Sequence, residues 1–171
     1  MALAFALSAC DSSDVGAPCV PEDEYRDDFS GFALEEVSFE SRSFQCESRT
    51  CLVNHFQGRV SCRYGQSEQE ANGNARCLLP GGGAPVRAPV APQALARRAD
   101  EAVYCSCRCD GPNPNARYCE CPSGFACMKL VPDFTRRAEL AGSYCVRSGT
   151  EYDGSRISTA AVCDRALTNC E

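Results

Sequence analysis

The sequence predicts a small, disulfide-rich domain that is mainly β with short helical turns and follows a flexible N-terminal tether. The chain carries 15 cysteines in 171 residues, a density typical of disulfide scaffolds. Large core-forming side chains are few, with eight Phe, six Tyr, two Met and no Trp, so a hydrophobic core needs covalent support. Residues 102–109 alternate strictly, which places Cys105, Cys107 and Cys109 on one face of a strand.

So many cysteines predict an oxidising compartment, because thiols in the cytosol are kept reduced. The formal net charge of −6 argues against a nucleic-acid partner, since phosphate binding needs a basic surface. No cofactor is predicted.

The N-terminus is an apolar run, residues 1–9, that is too short to span a bilayer and has the length of a signal-peptide core. It ends in Leu7-Ser8-Ala9-Cys10, which resembles the lipobox of bacterial lipoproteins. The whole pattern resembles uncharacterised cysteine-rich lipoproteins of GC-rich Gram-negative bacteria. The resemblance implies cleavage before Cys10, a lipid such as palmitate on its sulfur, and export to the periplasmic or cell-surface side of a membrane. No basic residue precedes Cys10, so we expect the signal peptide to be truncated. The alternative is an ordinary half-cystine at Cys10.

The cysteine count supports the lipid reading. Fifteen is odd, and setting Cys10 aside leaves fourteen, enough for seven bridges. The predicted half-cystines are Cys19, Cys46, Cys51, Cys62, Cys77, Cys105, Cys107, Cys109, Cys119, Cys121, Cys127, Cys145, Cys163 and Cys170.

The domain organisation follows from composition. Residues 10–31 are interpreted as a lipidated acidic tether, and residues 32–171 as the stapled domain. Within this domain, modules 32–79 and 94–171 are joined by a Gly/Pro-rich stretch, 80–93, interpreted as a linker or a long surface loop. Five of the fourteen cysteines precede this stretch and nine follow it, so at least one bridge must cross it.

Two local structures are predicted. Residues 51–62 suggest a hairpin that turns at Gln57-Gly58 and would set Cys51 opposite Cys62, a tentative disulfide pair. Residues 158–167 suggest a short helix capped by Ser158 or Thr159.

Chemical candidates are few. The clustered Cys105, Cys107, Cys109, Cys119 and Cys121 could hold Zn²⁺ or Cu⁺, but C-x-C spacing is tighter than structural zinc prefers. His55 is the single histidine, and a hydrolase would have to use it. No C-x-x-C or G-x-S-x-G motif occurs.

We therefore expect a non-enzymatic, membrane-anchored envelope lipoprotein that acts as a structural or interaction module, with an envelope protein or a polysaccharide as partner. The alternatives are an extracytoplasmic metal-binding protein that uses the cysteines at 105–121, and a hydrolase that uses His55. Exposed aromatic side chains are the expected contact residues. The candidates are Tyr64, Tyr104, Tyr118, Tyr144 and Tyr152.

Overall fold

The structure is a computed structural model that describes residues 14–132, 140–155 and 162–170. It confirms a small, mainly β, disulfide-rich fold. The strands are β1 (Val37–Glu40), β2 (Thr50–Asn54), β3 (Val103–Ser106), β4 (Arg108–Asp110), β5 (Phe125–Val131) and β6 (Gly142–Arg147). The helices are a 3-10 turn (Glu22–Tyr25), α1 (Glu68–Asn72) and α2 (Ala99–Ala102). No helix in these ranges is long and apolar enough to cross a bilayer.

Six strands form two antiparallel three-stranded sheets, in the orders β1-β2-β3 and β4-β6-β5. Leu52, Tyr104 and Val146 are buried between them, at 0%, 0% and 1% exposure, and partly buried side chains of β1 and β5 pack around these three. The ring of Phe39 in β1 lies 4.3 Å from that of Tyr144 in β6. The sheets therefore share an apolar layer, but a thin one.

One segment belongs to both sheets. Only Cys107 separates β3 from β4, so the chain leaves the first sheet and enters the second without a loop. The single strand predicted over residues 102–109 is therefore wrong in its continuity, because Cys107 divides it into two short strands and residue 102 belongs to α2. Residues 16–18 cover the outer edge of β3, where Gly16 donates to the Cys105 carbonyl and Cys105 donates to the Ala17 carbonyl.

Seven disulfide bonds use all fourteen predicted half-cystines, which confirms that part of the prediction. The pairs are Cys19–Cys51, Cys46–Cys105, Cys62–Cys77, Cys107–Cys119, Cys109–Cys127, Cys121–Cys145 and Cys163–Cys170. This number of bridges indicates an oxidising, extracytoplasmic environment. Cys10 lies outside the described residues, as does the predicted signal peptide.

The tentative Cys51–Cys62 pair is wrong. Strand β2 pairs with β1 on one side and β3 on the other, so no second hairpin strand follows it. The chain leaves β2 through His55, which has a positive φ of 53°, and runs on to the buried Arg59. Cys51 instead bonds Cys19 and Cys62 bonds Cys77.

The Gly/Pro-rich stretch 80–93 is only partly a surface loop. Residues 81–85 are exposed, whereas Val86, Ala88 and Val90 alternate inward and pack around the Cys62–Cys77 bridge. Gln66 and Val90 exchange backbone hydrogen bonds of 2.8 and 2.9 Å. One bridge, Cys46–Cys105, crosses the stretch, as the odd cysteine counts required.

The boundary of the predicted tether is wrong, because residues from Asp14 to residue 31 pack against the domain. Cys19 is 2% exposed and Glu24 is fully buried. The Glu24 carboxylate accepts hydrogen bonds from the backbone N–H groups of Val60 and Ser61 and from the Ser61 hydroxyl. It also lies 3.8 Å from Arg59 Nε, and both side chains have zero exposure. The acidic composition of this segment predicted exposure, but the Glu24 carboxylate is buried and holds the segment against the domain.

The Arg59 side chain fastens the same segment from the other side. Its guanidinium donates to the backbone carbonyls of Glu24, Arg26 and Phe29. Burial lowers the pKa of Arg59, and the charge of Glu24 opposes that shift. Each buried charge thus depends on the other and on backbone partners.

The helix predicted over residues 158–167 is wrong for its described part. Residues 165–168 form a turn closed by the Cys163–Cys170 bridge, and Val162 forms a bridge with Ala94. The Cα atoms of Cys163 and Cys170 lie 4.9 Å apart, whereas a helix would separate residues seven positions apart by about 10 Å. Ser158 and Thr159 lie outside the described residues.

Glu24→Gln should lower the free energy of unfolding by about 3 kcal/mol or more, because it leaves the Arg59 charge buried without its partner. The measurement is urea denaturation of the disulfide-bonded protein. Asp23→Asn is the control, since the Asp23–Arg26 pair is exposed and should contribute less than about 1 kcal/mol. Equal effects of the two substitutions would contradict the anchoring role of Glu24.

Candidate functional site

The five cysteines proposed as metal ligands are all half-cystines. Cys105, Cys107 and Cys109 bond three different segments, through Cys46, Cys119 and Cys127. Cys119 and Cys121 complete bridges to Cys107 and Cys145. A disulfide sulfur is not a thiolate ligand, so the metal-binding hypothesis applies only to a reduced form of the chain.

Five of the seven bridges lie in two groups. In the first, the sulfurs of Cys19, Cys46 and Cys105 lie within 4.8 Å of one another. The second group contains the three bridges Cys107–Cys119, Cys109–Cys127 and Cys121–Cys145, and its sulfurs form two such triplets. The sequence predicted the alternation of these cysteines but not their grouping.

His55 directly follows β2, and within residues 14–132, 140–155 and 162–170 it forms no catalytic dyad. Its Nδ1 is 3.0 Å from the Leu34 carbonyl oxygen, and its ring stacks on Tyr152 with centroids 3.8 Å apart. In the described part of the chain, its hydrogen-bond partner is thus a backbone carbonyl rather than a Ser, Cys or Asp side chain. A general base needs a proton donor within reach, so this geometry does not support the hydrolase hypothesis.

The surroundings of His55 favour its neutral form. Burial is the main cause that lowers its pKa, and the nearby Arg97 charge acts in the same direction. The Leu34 carbonyl and the charge of Glu35 oppose the shift. Arg97 is 2% exposed and donates to the backbone carbonyls of Asn54, His55 and Thr150. The half-buried His55 and the buried Arg97 therefore have a structural role, since Arg97 links the end of β2 to the Thr150 segment.

The aromatic residues proposed from the sequence as contact residues are only partly exposed. Tyr104 and Tyr144 belong to the core, at 0% and 3% exposure, and Tyr64 is 37% exposed. Among the described residues, the most exposed aromatic side chains are two that the sequence did not single out, Tyr25 at 51% and Phe44 at 87%. The polar neighbours of Phe44, Ser43 and Gln45, are the sequence signal for a loop at this position.

Phe44 and Tyr25 line one cleft of about 510 Å³, which we call the aromatic cleft. Its other lining side chains are Glu22, Glu40, Arg42, Gln45 and Arg49. The 3-10 turn contributes two of these residues, the end of β1 contributes Glu40, and the β1–β2 loop contributes the rest.

The β1–β2 loop is held by several contacts. Ser43 is fully buried and its N–H donates to the Arg49 carbonyl at 3.0 Å. The Gln45 side chain exchanges two hydrogen bonds with the backbone of Val20, at 3.0 and 2.7 Å. The Cys46–Cys105 bridge fastens the loop to β3. Phe44 is therefore exposed on a restrained loop.

The aromatic cleft is lined by charged side chains and by the rings of Tyr25 and Phe44. The Arg49 guanidinium lies 4.5 Å from the centroid of the Phe44 ring, a cation–π distance. Glu40 accepts a 3.1 Å hydrogen bond from the Glu22 N–H. Burial raises the pKa of Glu40, that hydrogen bond opposes the shift, and the charges of Glu22 and Asp23 raise it further. The cleft presents both charge signs beside two aromatic rings.

No protein-family model, no curated protein and no solved structure matches this chain.

The ring of His55 should titrate below its ordinary pKa of about 6.5, because burial disfavours the imidazolium. The folded chain then binds fewer protons than the unfolded chain near and below that pH, so stability falls as the pH drops through about 6.5 toward the lowered value. NMR titration of this single histidine measures the pKa directly. Tyr152→Ala, which uncovers one ring face, should move it back up.

The effect of this pKa on stability is measured by comparing the wild type with His55→Asn. Asn is chosen because His55 has a positive φ of 53°, which Asn tolerates. Denaturation at pH 7.5 and pH 5 should show a larger acid loss for the wild type than for the variant. A pKa at or above the ordinary value would contradict the burial argument.

Proposed function

We propose that this chain is an exported lipoprotein, anchored to a membrane through a lipid on Cys10, that acts by contact in the cell envelope. Two observations support the anchor. The sequence Leu7-Ser8-Ala9-Cys10 resembles a lipobox, and the other fourteen cysteines pair among themselves. Cys10 is thus the one thiol for which the disulfide network holds no partner.

The observation that carries the contact function is the aromatic cleft. A Phe that is 87% exposed on a loop held by a disulfide exposes apolar area that folding alone does not require. Restraint of the loop also lowers the entropy that binding would otherwise cost. The cleft therefore presents a binding surface that is largely formed before the partner arrives.

We infer that the partner is an envelope polysaccharide. A sugar ring offers an apolar C–H face, which suits the electron-rich faces of Tyr25 and Phe44, and its hydroxyl groups suit the planar Glu22, Gln45 and Arg42 side chains. A cleft of about 510 Å³ matches the size of sites for small ligands. A protein partner would instead need about 800 Å² on each side.

Lipidation is tested by labelling with a palmitate analogue in bacteria that express the chain with a basic signal-peptide n-region added before residue 1. The wild type should incorporate label and partition into detergent, because the lipid adds a long apolar chain. Cys10→Ser should lose both properties while keeping seven disulfides. A Cys10→Ser variant that still labels would refute the anchor.

Polysaccharide binding is tested by co-sedimentation with purified peptidoglycan sacculi and by binding to immobilised capsular and lipopolysaccharide glycans. Phe44→Ala should weaken binding by about tenfold or more, the effect expected of a central aromatic contact. Leu167→Ala is the matched control, because Leu167 is 62% exposed and lies outside the cleft.

Two outcomes would contradict a polysaccharide partner at the aromatic cleft. A wild-type chain that binds none of these glycans, but whose position 44 cross-links to a single envelope protein, would assign the cleft to a protein partner instead. Unchanged glycan binding by Phe44→Ala and Tyr25→Ala would remove the cleft from the contact.

A further inference from the structure

The three bridges of the second group place six sulfurs in a continuous row. Cys145 Sγ lies 3.6 Å from Cys107 Sγ and 3.8 Å from Cys119 Sγ, although it is bonded to Cys121. At the other end of that bridge, Cys121 Sγ lies within 4.8 Å of the sulfurs of both Cys109 and Cys127. The Cys121–Cys145 bridge therefore contacts both of its neighbours.

Burial differs sharply along this row. Among the fourteen half-cystines, Cys127 alone is exposed, four are intermediate and nine are buried. Cys127 lies on β5, which pairs with β6 on one side and ends the order β4-β6-β5. At the far end of the row, Cys107 is 7% exposed and Cys145 is fully buried. Cys109, Cys119 and Cys121 have intermediate exposure, so Cys127 is the residue of the row that is most open to an external thiolate.

We propose that Cys109–Cys127 is a site of thiol–disulfide exchange with an external dithiol, and that exchange passes along the row to the buried bridges. Exchange needs a thiolate that attacks one sulfur of a bridge while the other sulfur leaves. The sulfurs of neighbouring bridges lie within 4.8 Å of one another, which already holds the attacking and receiving atoms close together.

The first step consumes the external reagent. One thiolate of a dithiol attacks Cys127 Sγ, the Cys109–Cys127 bond breaks, and Cys109 leaves as a thiolate. The second thiol of the reagent then displaces Cys127, so the reagent becomes a disulfide and Cys127 becomes a thiol. The reagent is oxidised by two electrons, and the protein has gained two electrons and two protons.

The following steps conserve electrons within the protein. The Cys109 thiolate attacks Cys121 Sγ, forms a Cys109–Cys121 bond and releases the Cys145 thiolate. Cys145 then attacks Cys107 or Cys119 and releases the other as a thiolate. The number of bridges is unchanged by each transfer, but the free thiol moves from the surface into the sheet.

The first group of bridges provides an internal control. Its sulfurs, those of Cys19, Cys46 and Cys105, are equally crowded within 4.8 Å, yet all three residues are buried. Without an exposed sulfur, an external thiolate cannot start exchange there. The isolated Cys62–Cys77 bridge, whose two residues are buried, lacks both features.

The experiment treats the native full chain with an equimolar amount of dithiothreitol, quenches with N-ethylmaleimide at intervals, and maps the bridges under non-reducing conditions. Cleavage after Arg108, Arg117, Glu120, Phe125 and Lys129 places the six cysteines of the row on separate peptides. Label should appear on Cys127 about tenfold or more faster than on Cys62 or Cys77. A new Cys109–Cys121 bridge should follow, together with label on Cys107, Cys119 or Cys145.

A variant with Cys121→Ala and Cys145→Ala removes the middle of the row. Label should then stay on Cys109 and Cys127, with the Cys107–Cys119 bridge intact. If this variant does not fold, the wild-type maps still decide. Label confined to Cys109 and Cys127 in the wild type would overturn the relay, and earlier opening of Cys62–Cys77 would overturn the assignment of Cys127 as the reactive sulfur.

Discussion

The fold depends on one short segment, Cys105-Ser106-Cys107-Arg108-Cys109, which passes from the first sheet to the second. Its three cysteines each bond a different part of the chain. The apolar layer between the sheets is thin, with Leu52, Tyr104 and Val146 at its centre. Each native bridge contributes about 2–4 kcal/mol, so covalent links supply stability that this layer alone does not.

The acidic segment before β1 connects stability with the proposed contact function. The 3-10 turn Glu22–Tyr25 directs Glu24 into the interior, where Arg59 receives it. The same turn directs Glu22 and Tyr25 outward into the aromatic cleft. A single turn of helix therefore both anchors the segment and shapes the surface. Residues three apart on a 3-10 helix share a face, so Glu22 and Tyr25 point the same way while Glu24 points elsewhere.

Burial, rather than cysteine content, distinguishes the two groups of bridges. Both place sulfurs within 4.8 Å of one another, but only the second contains an exposed cysteine residue, Cys127 on the outer strand β5. Crowding inside a closed core gives rigidity. The same crowding next to an exposed sulfur gives a route by which a thiol can move inward.

The sequence by itself determined the local and countable properties: the mainly β, disulfide-rich class, the extended backbone around Cys105, Cys107 and Cys109, and the bridge across residues 80–93. These follow from strand geometry and parity, which need no knowledge of distant contacts. Only the tertiary structure decided that Cys51 bonds Cys19, that Glu24 meets Arg59 across 35 positions, and that Tyr104 is buried while Phe44 is exposed. Each of these depends on which segments pack together, and a local pattern carries no information about a partner far along the chain.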